Sequence, residues 1–196
     1  VGRKLPTTLV VGAHTKATAE YIQNIFMNDV LRVYTSPDII GIELGGALKN
    51  VIALAAGVAD GLGCGDNTKA ALMTRGIAEI TRLGIACGGK PETFAGLSGI
   101  GDLIVTCTSK HSRNRNAGYL IGRGYKMQEA MDEVKMVVEG VYSAKAALAL
   151  AKKHHVDMPI VAEVNQVLFE DKSAKDALSD LFLRTRKDEN TGLDWE

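Results

Sequence analysis

A chain of 196 residues with 46% hydrophobic content is long enough to bury a full core, as one domain or as one domain plus a fragment of another. Its 23 basic and 23 acidic residues cancel, which leaves no electrostatic footprint for nucleic acid or an anionic membrane. No apolar stretch reads as long and charge-free enough to span a membrane, and VGRKLPTT at the start is not followed by the apolar run of a signal peptide.

The first elements read as α/β. TTLVVGA (7–13) has the composition of a buried strand, KATAEYIQNIF (16–26) has helical periodicity, and LRVYT (31–35) reads as a second strand. Such a β-α-β unit is part of a larger sheet, since two strands alone make a poor domain. TTLVVGA is apolar on both faces, so coverage on both sides is expected. Strand signals then stop at Ser36-Pro37, which places a domain boundary there: 1–37 before it, 38–196 after it.

The rest reads as helices. Asp38 can cap a long helix running to about Leu62. Asp66 or Asn67 caps TKAALMTRGIAEITRLGIAC, which ends at Gly88-Gly89. Pro91 opens a short turn, and GLSGIG (96–101) reads as a glycine-rich loop closed by Asp102. LIVTC follows as helix, although its Ile and Val would also suit a strand. Ser112 caps RNRNAGYLIGRG, and MQEAMDEV, EGVYSAKAALALAKKHH, PIVAEVNQVLFE and SAKDALSDLFLR supply four more helices. The polar tail RKDENTGLDWE (186–196) is expected to fray. Cys64, Cys87 and Cys107 are odd in number and far apart, which fits reduced thiols in a cytoplasmic protein. The four His show no ligand spacing, and adjacent His154 and His155 point apart on a helix, so no metal site is expected.

Three constellations carry possible chemistry. From Leu44 to Ala59 the only charge is Lys49, with Asn50 beside it, in a helix apolar nearly all round. An unpaired ammonium in such a place costs several kcal/mol, roughly, so Lys49 is either a paired acid/base group or a lysine whose stem snorkels to water. It shares a face with Gly45, Gly46, Ala53 and Ala56, small enough for another backbone or a flat cofactor ring to approach. Asp102 ends the glycine-rich segment, either as an ordinary N-cap or as a ligand-facing acid, with Thr106 one turn on. In HSRNR (111–115), Arg113 and Arg115 sit at the positive end of a helix capped by Ser112, where cations are disfavoured. A bound phosphate would resolve that conflict; two solvated arginines are the plainer reading. Neither GLGCGD (61–66) nor GIGDLI is the GxGxxG dinucleotide fingerprint, and no such fingerprint occurs in these residues.

Together, ELGGALKNVIALAAG (43–57), GLSGIGDLIVTCTSKHSRNR (96–115) and VVEG (137–140) resemble the bacterial-type NAD(P)-dependent glycerol-3-phosphate dehydrogenase family, and the resemblance runs through essentially the whole chain. It implies a mainly α fold: a multi-helical C-terminal domain of the 6-phosphogluconate dehydrogenase-like type over 38–196, preceded by a short β-α-β remnant of a Rossmann NAD(P)-binding domain over 1–37. It implies reduction of dihydroxyacetone phosphate to sn-glycerol 3-phosphate with NAD(P)H, for phospholipid synthesis, in a cytoplasmic homodimer. It makes Lys49 the catalytic acid/base and a substrate contact, has Asp102 and Thr106 bind the polyol end of the substrate or orient Lys49, and sets Asn50 beside them. It assigns Ser112, Arg113 and Asn114 to the substrate phosphate, and Arg113, Val137 and Glu139 to the cofactor. By residue type alone Glu139 is an N-cap. NADH and NADPH are not distinguished, and without the fingerprint the chain by itself is expected to show no turnover. Another two-domain hydroxyacid-type dehydrogenase and a non-catalytic helical dimerisation module stand as the alternatives.

Overall fold

The computed structural model describes residues 2–186, 188 and 189, so most of the tail expected to fray (186–196) lies outside the described residues. The chain opens with strand β1 (Thr7–Gly12), helix α1 (Lys16–Phe26) and strand β2 (Leu31–Ser36). The strands pair in parallel, from Thr7 opposite Leu31 to Gly12 opposite Ser36. Thr15 caps α1 by accepting from the Thr18 amide at 3.2 Å, and the Gln23 side-chain amide donates to the Val33 carbonyl at 2.7 Å. Leu31, Val33 and Ala19 are buried between helix and strands. β1 differs from expectation: Leu9 is exposed and Val10 and Val11, on opposite faces, are only half-buried, so neither side of the strand is fully covered.

After Pro37 the described chain is helical. Asp38 caps α2 (Ile39–Gly61), its Oδ1 accepting from the Gly41 amide at 2.9 Å. α2 is the axis of the molecule, with Val51, Ile52, Ala53, Leu54 and Ala56 fully or almost fully buried. Its mean hydropathy of 1.6 and 23 residues would suffice to cross a membrane, which corrects the expectation that no stretch would. The physical reason is burial within the fold, since helices pack on it from several sides. α3 (Asp66–Ala86) begins after Gly65, whose extended backbone makes it the cap; Asp66 lies inside the first turn, not at the cap. α4 is Pro91–Phe94.

GLSGIG is not a loop. Leu97–Gly101 winds as a π turn that runs directly into α5 (Asp102–Thr108). LIVTC is helical, and the β-branched residues follow the tertiary context. α6 (Arg113–Gly122) has Ser112 as its cap, accepting from the Arg115 amide at 3.3 Å. α7 (Met127–Val134), α8 (Glu139–Lys153), α9 (Pro159–Phe169) and α10 (Ala174–Phe182) complete the order. α8 stops two residues short of the expected end, because His155 takes a positive φ of 55°.

The closest packing is α2 against α6. A Cβ at Gly57 would fall 2.0 Å from the Arg115 carbonyl oxygen, and one at Gly118 would fall 2.0 Å from that of Leu54. Gly61 and Gly122 stand in the same relation, 2.3 Å from Tyr119 O and Val58 O. These four glycines let the two backbones touch, which fixes how α6 presents its N-terminus beside Lys49. The main hydrophobic cluster runs from Leu48 to Leu168 and takes in no residue of the β-α-β layer.

Candidate active site

Four elements converge on one open cleft: α2, α5, the start of α6 and the start of α8. Its volume of about 380 Å³ lies in the range of small-molecule sites.

Lys49 reaches the cleft from α2 with its side chain 20% exposed, and its Nζ donates to Oδ2 of Asp102. The ammonium is therefore neither unpaired in the core nor carried off to bulk water. Asp102 is not a cap. The π turn already has helical backbone at Gly101, so the first amides of α5 need no side-chain acceptor and the carboxylate is free to face Lys49. The Thr106 hydroxyl, one turn on, donates to the Asp102 carbonyl at 2.6 Å and lies 3.4 Å from Oδ1. Lys49, Asp102 and Thr106 form one connected chain.

A second chain of bonds forms the adjoining wall. Asn50 and Asn114 are both 6% exposed, and the Asn114 Nδ2 donates to Asn50 Oδ1 at 2.9 Å. Asn50 Nδ2 donates to Glu139 Oε2 at 3.1 Å and to the Gly46 carbonyl at 3.3 Å. The Gly140 amide donates to Asn114 Oδ1 at 2.8 Å. Arg113 Nη2 lies 3.5 Å from Glu139 Oε1. Glu139 is the first residue of α8, behind Val138 at the cap position, so its carboxylate is spent on Asn50 and Arg113 and not on capping. Gly140 is required here: a Cβ would fall 2.6 Å from the Asn50 carbonyl oxygen.

The two arginines separate. Residues two apart on a helix point in different directions. Arg113 faces the cleft, half-exposed, while Arg115 Nη2 meets Asp60 at 2.5 Å and Asp60 also holds Lys69 at 2.6 Å. The idea of a tandem-arginine anion site is thus corrected: one arginine serves the cleft and the other ties α6 to α2. Ser112 and Asn114 line the cleft with Arg113. Val137 is 59% exposed in the segment between α7 and α8, outside the cleft lining. The small face of α2 divides likewise. A Cβ at Gly45 would meet the Ser98 carbonyl oxygen at 2.6 Å, whereas Gly46 has open space where its Cβ would be and lines the cleft.

Val105, Ser109 and His111 also line the cleft and carried no assigned role in the sequence reading. His111 belongs to the same segment as Ser112 and Arg113, and that adjacency was the only signal for it. Cys107, behind Thr106, is fully buried, and burial pushes its thiol up to about 12, so it packs as a small apolar group.

A paired lysine and carboxylate thus lie close to the Ser112-capped start of α6, on a helical body with a β-α-β layer beside it. The chain belongs to the family described as NAD-dependent glycerol-3-phosphate dehydrogenase C-terminus, whose model matches residues 38–179. A protein of Agathobacter rectalis named glycerol-3-phosphate dehydrogenase, NAD(P)+, is 70% identical over 196 residues, all of this chain and 58% of that protein. One of the same name from Fusobacterium nucleatum is 64% identical over 187 residues, 95% of this chain and 56% of its own length. The chain thus spans somewhat over half the length of these relatives. The crystal structure of glycerol-3-phosphate dehydrogenase from Coxiella burnetii matches with a TM-score of 0.90 at 39% identity, over 93% of this chain and 56% of that one. A Plasmodium falciparum glycerol-3-phosphate dehydrogenase structure, at 21% identity and a TM-score of 0.86 over 95% of this chain and 54% of that one, shares the fold.

Proposed function

We propose that this chain is the substrate-binding and acid/base part of an enzyme that reduces dihydroxyacetone phosphate to sn-glycerol 3-phosphate with NAD(P)H. The observation that carries this reading is Lys49, bonded to Asp102 behind it, lining the same cleft as Ser112, Arg113 and Asn114. Residues 38–196 are read as the substrate domain and 1–37 as the end of a nucleotide-binding domain. The reaction supplies the backbone of phospholipids, and a cytoplasmic homodimer is the proposed form.

Each residue has a role that its surroundings support. Lys49 Nζ donates a proton to the carbonyl oxygen of the substrate as that oxygen becomes an alkoxide, and takes it back in the oxidative direction. Asp102 holds Nζ in place, and Thr106 holds Asp102. Asn50 fixes the far end of the same wall through Asn114 and Glu139. Arg113, Asn114 and the Ser112-capped start of α6 receive the phosphate, since free amides and the helix dipole favour an anion there. The bound cofactor supplies the hydride. Gly46, with its open space, and Arg113, Glu139 and Val137 at the rim are the residues of this chain that would hold it. The fit rests on the bare backbone at Gly46 and on a cation beside a carboxylate, partners for a flat ring, a phosphate and a ribose hydroxyl. Nothing among these residues selects NADH over NADPH.

Calorimetric titration of the chain tests the phosphate site. sn-Glycerol 3-phosphate is expected to bind and glycerol to bind far more weakly. Arg113→Ala should weaken the phosphate ester by about 2 kcal/mol or more, roughly 30-fold, as for loss of a charge-assisted contact. Equal affinity for both ligands, or an Arg113→Ala chain that binds like the parent, would return the protein to a helical module without this site.

A further inference from the structure

Lys49 and Asp102 are 53 residues apart in sequence, and nothing local to either brings them together. The segment that delivers Asp102 is the π turn Leu97–Gly101, in which the Gly101 amide reaches back to the Gly96 carbonyl at 3.2 Å. A π turn takes one more residue per ring than an α turn. Each residue of an α-helix turns about 100°, so that extra residue changes the direction in which Asp102 leaves the backbone.

Two close contacts seat the π turn, and a tether fixes the element behind one of them. Its Ser98 carbonyl lies on α2 at Gly45, where a Cβ would be 2.6 Å from the oxygen. Its Gly99 sits on the end of α4, where a Cβ would be 2.1 Å from the Phe94 carbonyl oxygen. α4 in turn is tied to the start of α2 by Asp38. Asp38 Oδ2 accepts from the Lys90 amide at 2.8 Å and from the Thr93 hydroxyl at 2.5 Å, while its Oδ1 caps α2. Hydrogen bonds from Thr93, Lys90 and Gly41 outweigh burial and hold this carboxyl below the usual carboxylate range, so it stays an acceptor.

We propose that the π turn Leu97–Gly101, seated on Gly45 and tethered through α4 to Asp38, is the device that positions Asp102 against Lys49. Asp38, Gly45 and Gly99 are positioning residues: none touches the cleft, and each acts through the π turn. The importance of the pair for turnover rests on the function proposed above; the positioning itself is read independently of activity.

The test is the acylation of Lys49 by acetic anhydride, followed by peptide mass spectrometry on the folded chain. An amine held against a carboxylate is shielded, and Asp102→Asn gives the rate for a Lys49 without that partner. Gly45→Ala, which drives Ser98 off α2, is expected to raise the Lys49 rate about threefold or more towards the Asp102→Asn value. Gly101→Ala lies in the same turn but meets nothing closer than 3.6 Å, and is expected to keep the parental rate. Affinity for sn-glycerol 3-phosphate should stay within about twofold in Gly45→Ala, because the phosphate wall is on α6. A parental Lys49 rate in folded Gly45→Ala would overturn the proposal even if the phosphate ester still binds. Absence of such binding in the parent would instead count against the proposed function alone. Should Gly45→Ala fail to fold, Asp38→Ala, which releases α4 without adding an atom, decides: a raised rate supports the positioning role and a parental rate ends it.

Discussion

At the scale of the residue, the cleft turns on whether a charged group has a partner. Lys49 has Asp102, and the Asp102 side chain is 35% exposed, so truncating the lysine leaves a carboxylate that water still reaches. Lys49→Ala in an enzyme containing the whole chain is therefore expected to cut kcat by about 10²–10⁴ while changing fold stability by less than about 1 kcal/mol. Steady-state kinetics with a parallel thermal melt checks both halves, and a near-normal kcat would remove Lys49 from the chemistry. Glu79 is the contrasting case. It is 2% exposed, and its two carboxylate oxygens accept from the Ile160 and Val161 amides at 2.8 and 3.3 Å, at the start of α9. Burial pushes this carboxyl up to about 7, against the pull of those amides and of Arg82. A raised folded value means that the native state keeps a proton the unfolded chain has released. The contribution is complete below the unfolded value of 4.5 and is lost as pH rises through about 7. Stability should fall by up to about 3 kcal/mol across that window. Glu79→Gln, which keeps an acceptor for Ile160, should flatten the fall; denaturant melts at pH 5 and pH 7.5 that decline as steeply as the parent's would refute it.

At the scale of the element, most boundaries were legible. Asp38 and Ser112, read as caps from their place before apolar-periodic runs, do cap their helices, and Thr15 and Ser173 cap α1 and α10 in the same way. Asp66 has the residue type of a cap, but Gly65 before it already provides the turn into the helix; of the two readings open for Asp102, the cap falls away because Gly101 is already helical. GLSGIG has the composition of a loop, yet it is wound into a π turn by its seat on Gly45 and Phe94, neither of which a local pattern reveals. The glycines of α2 and α6 were legible only as small residues; what they contact depends on the crossing of two helices. That crossing gives a prediction. Gly118→Ala puts a methyl 2.0 Å from the Leu54 carbonyl oxygen, so the helices must move apart, at a cost of about 1–3 kcal/mol despite the better helix propensity of Ala. A chemical melt no less stable than the parent's would show that the crossing can relax.

At the scale of the whole molecule, the main cluster, from Leu48 to Leu168, takes in no residue of the β-α-β layer, which meets the helices around Gly12, Ile39 and Ile42 and touches the π turn from β1. Deleting residues 1–36 is expected to leave the helical signal and the thermal midpoint of the remainder largely intact, within a few degrees. It should also reduce self-association, since Leu9 and Tyr34 are exposed on those strands and Leu5 just before them. Circular dichroism melts and sedimentation of the two lengths compare these directly; loss of the cooperative transition on deletion would place the strands in the core of the helical part.

What the sequence determined by itself is what local chemistry can determine: strands where β-branched residues run together, helices where apolar residues recur at helical spacing, caps where a short oxygen-bearing side chain precedes them. It also marked Lys49, because one charge in a long apolar run needs either a partner or a path to water, though it could not say which. The partner, 53 residues on, was decided by the fold, as was the bond from Asn50 to Glu139 across 89 residues. Arg115 shows the same division most plainly: in sequence it is the twin of Arg113, and in space it belongs to Asp60. A side chain two positions along a helix points away from its neighbour's site, and only the packing of α6 on α2 determines what waits on the other side.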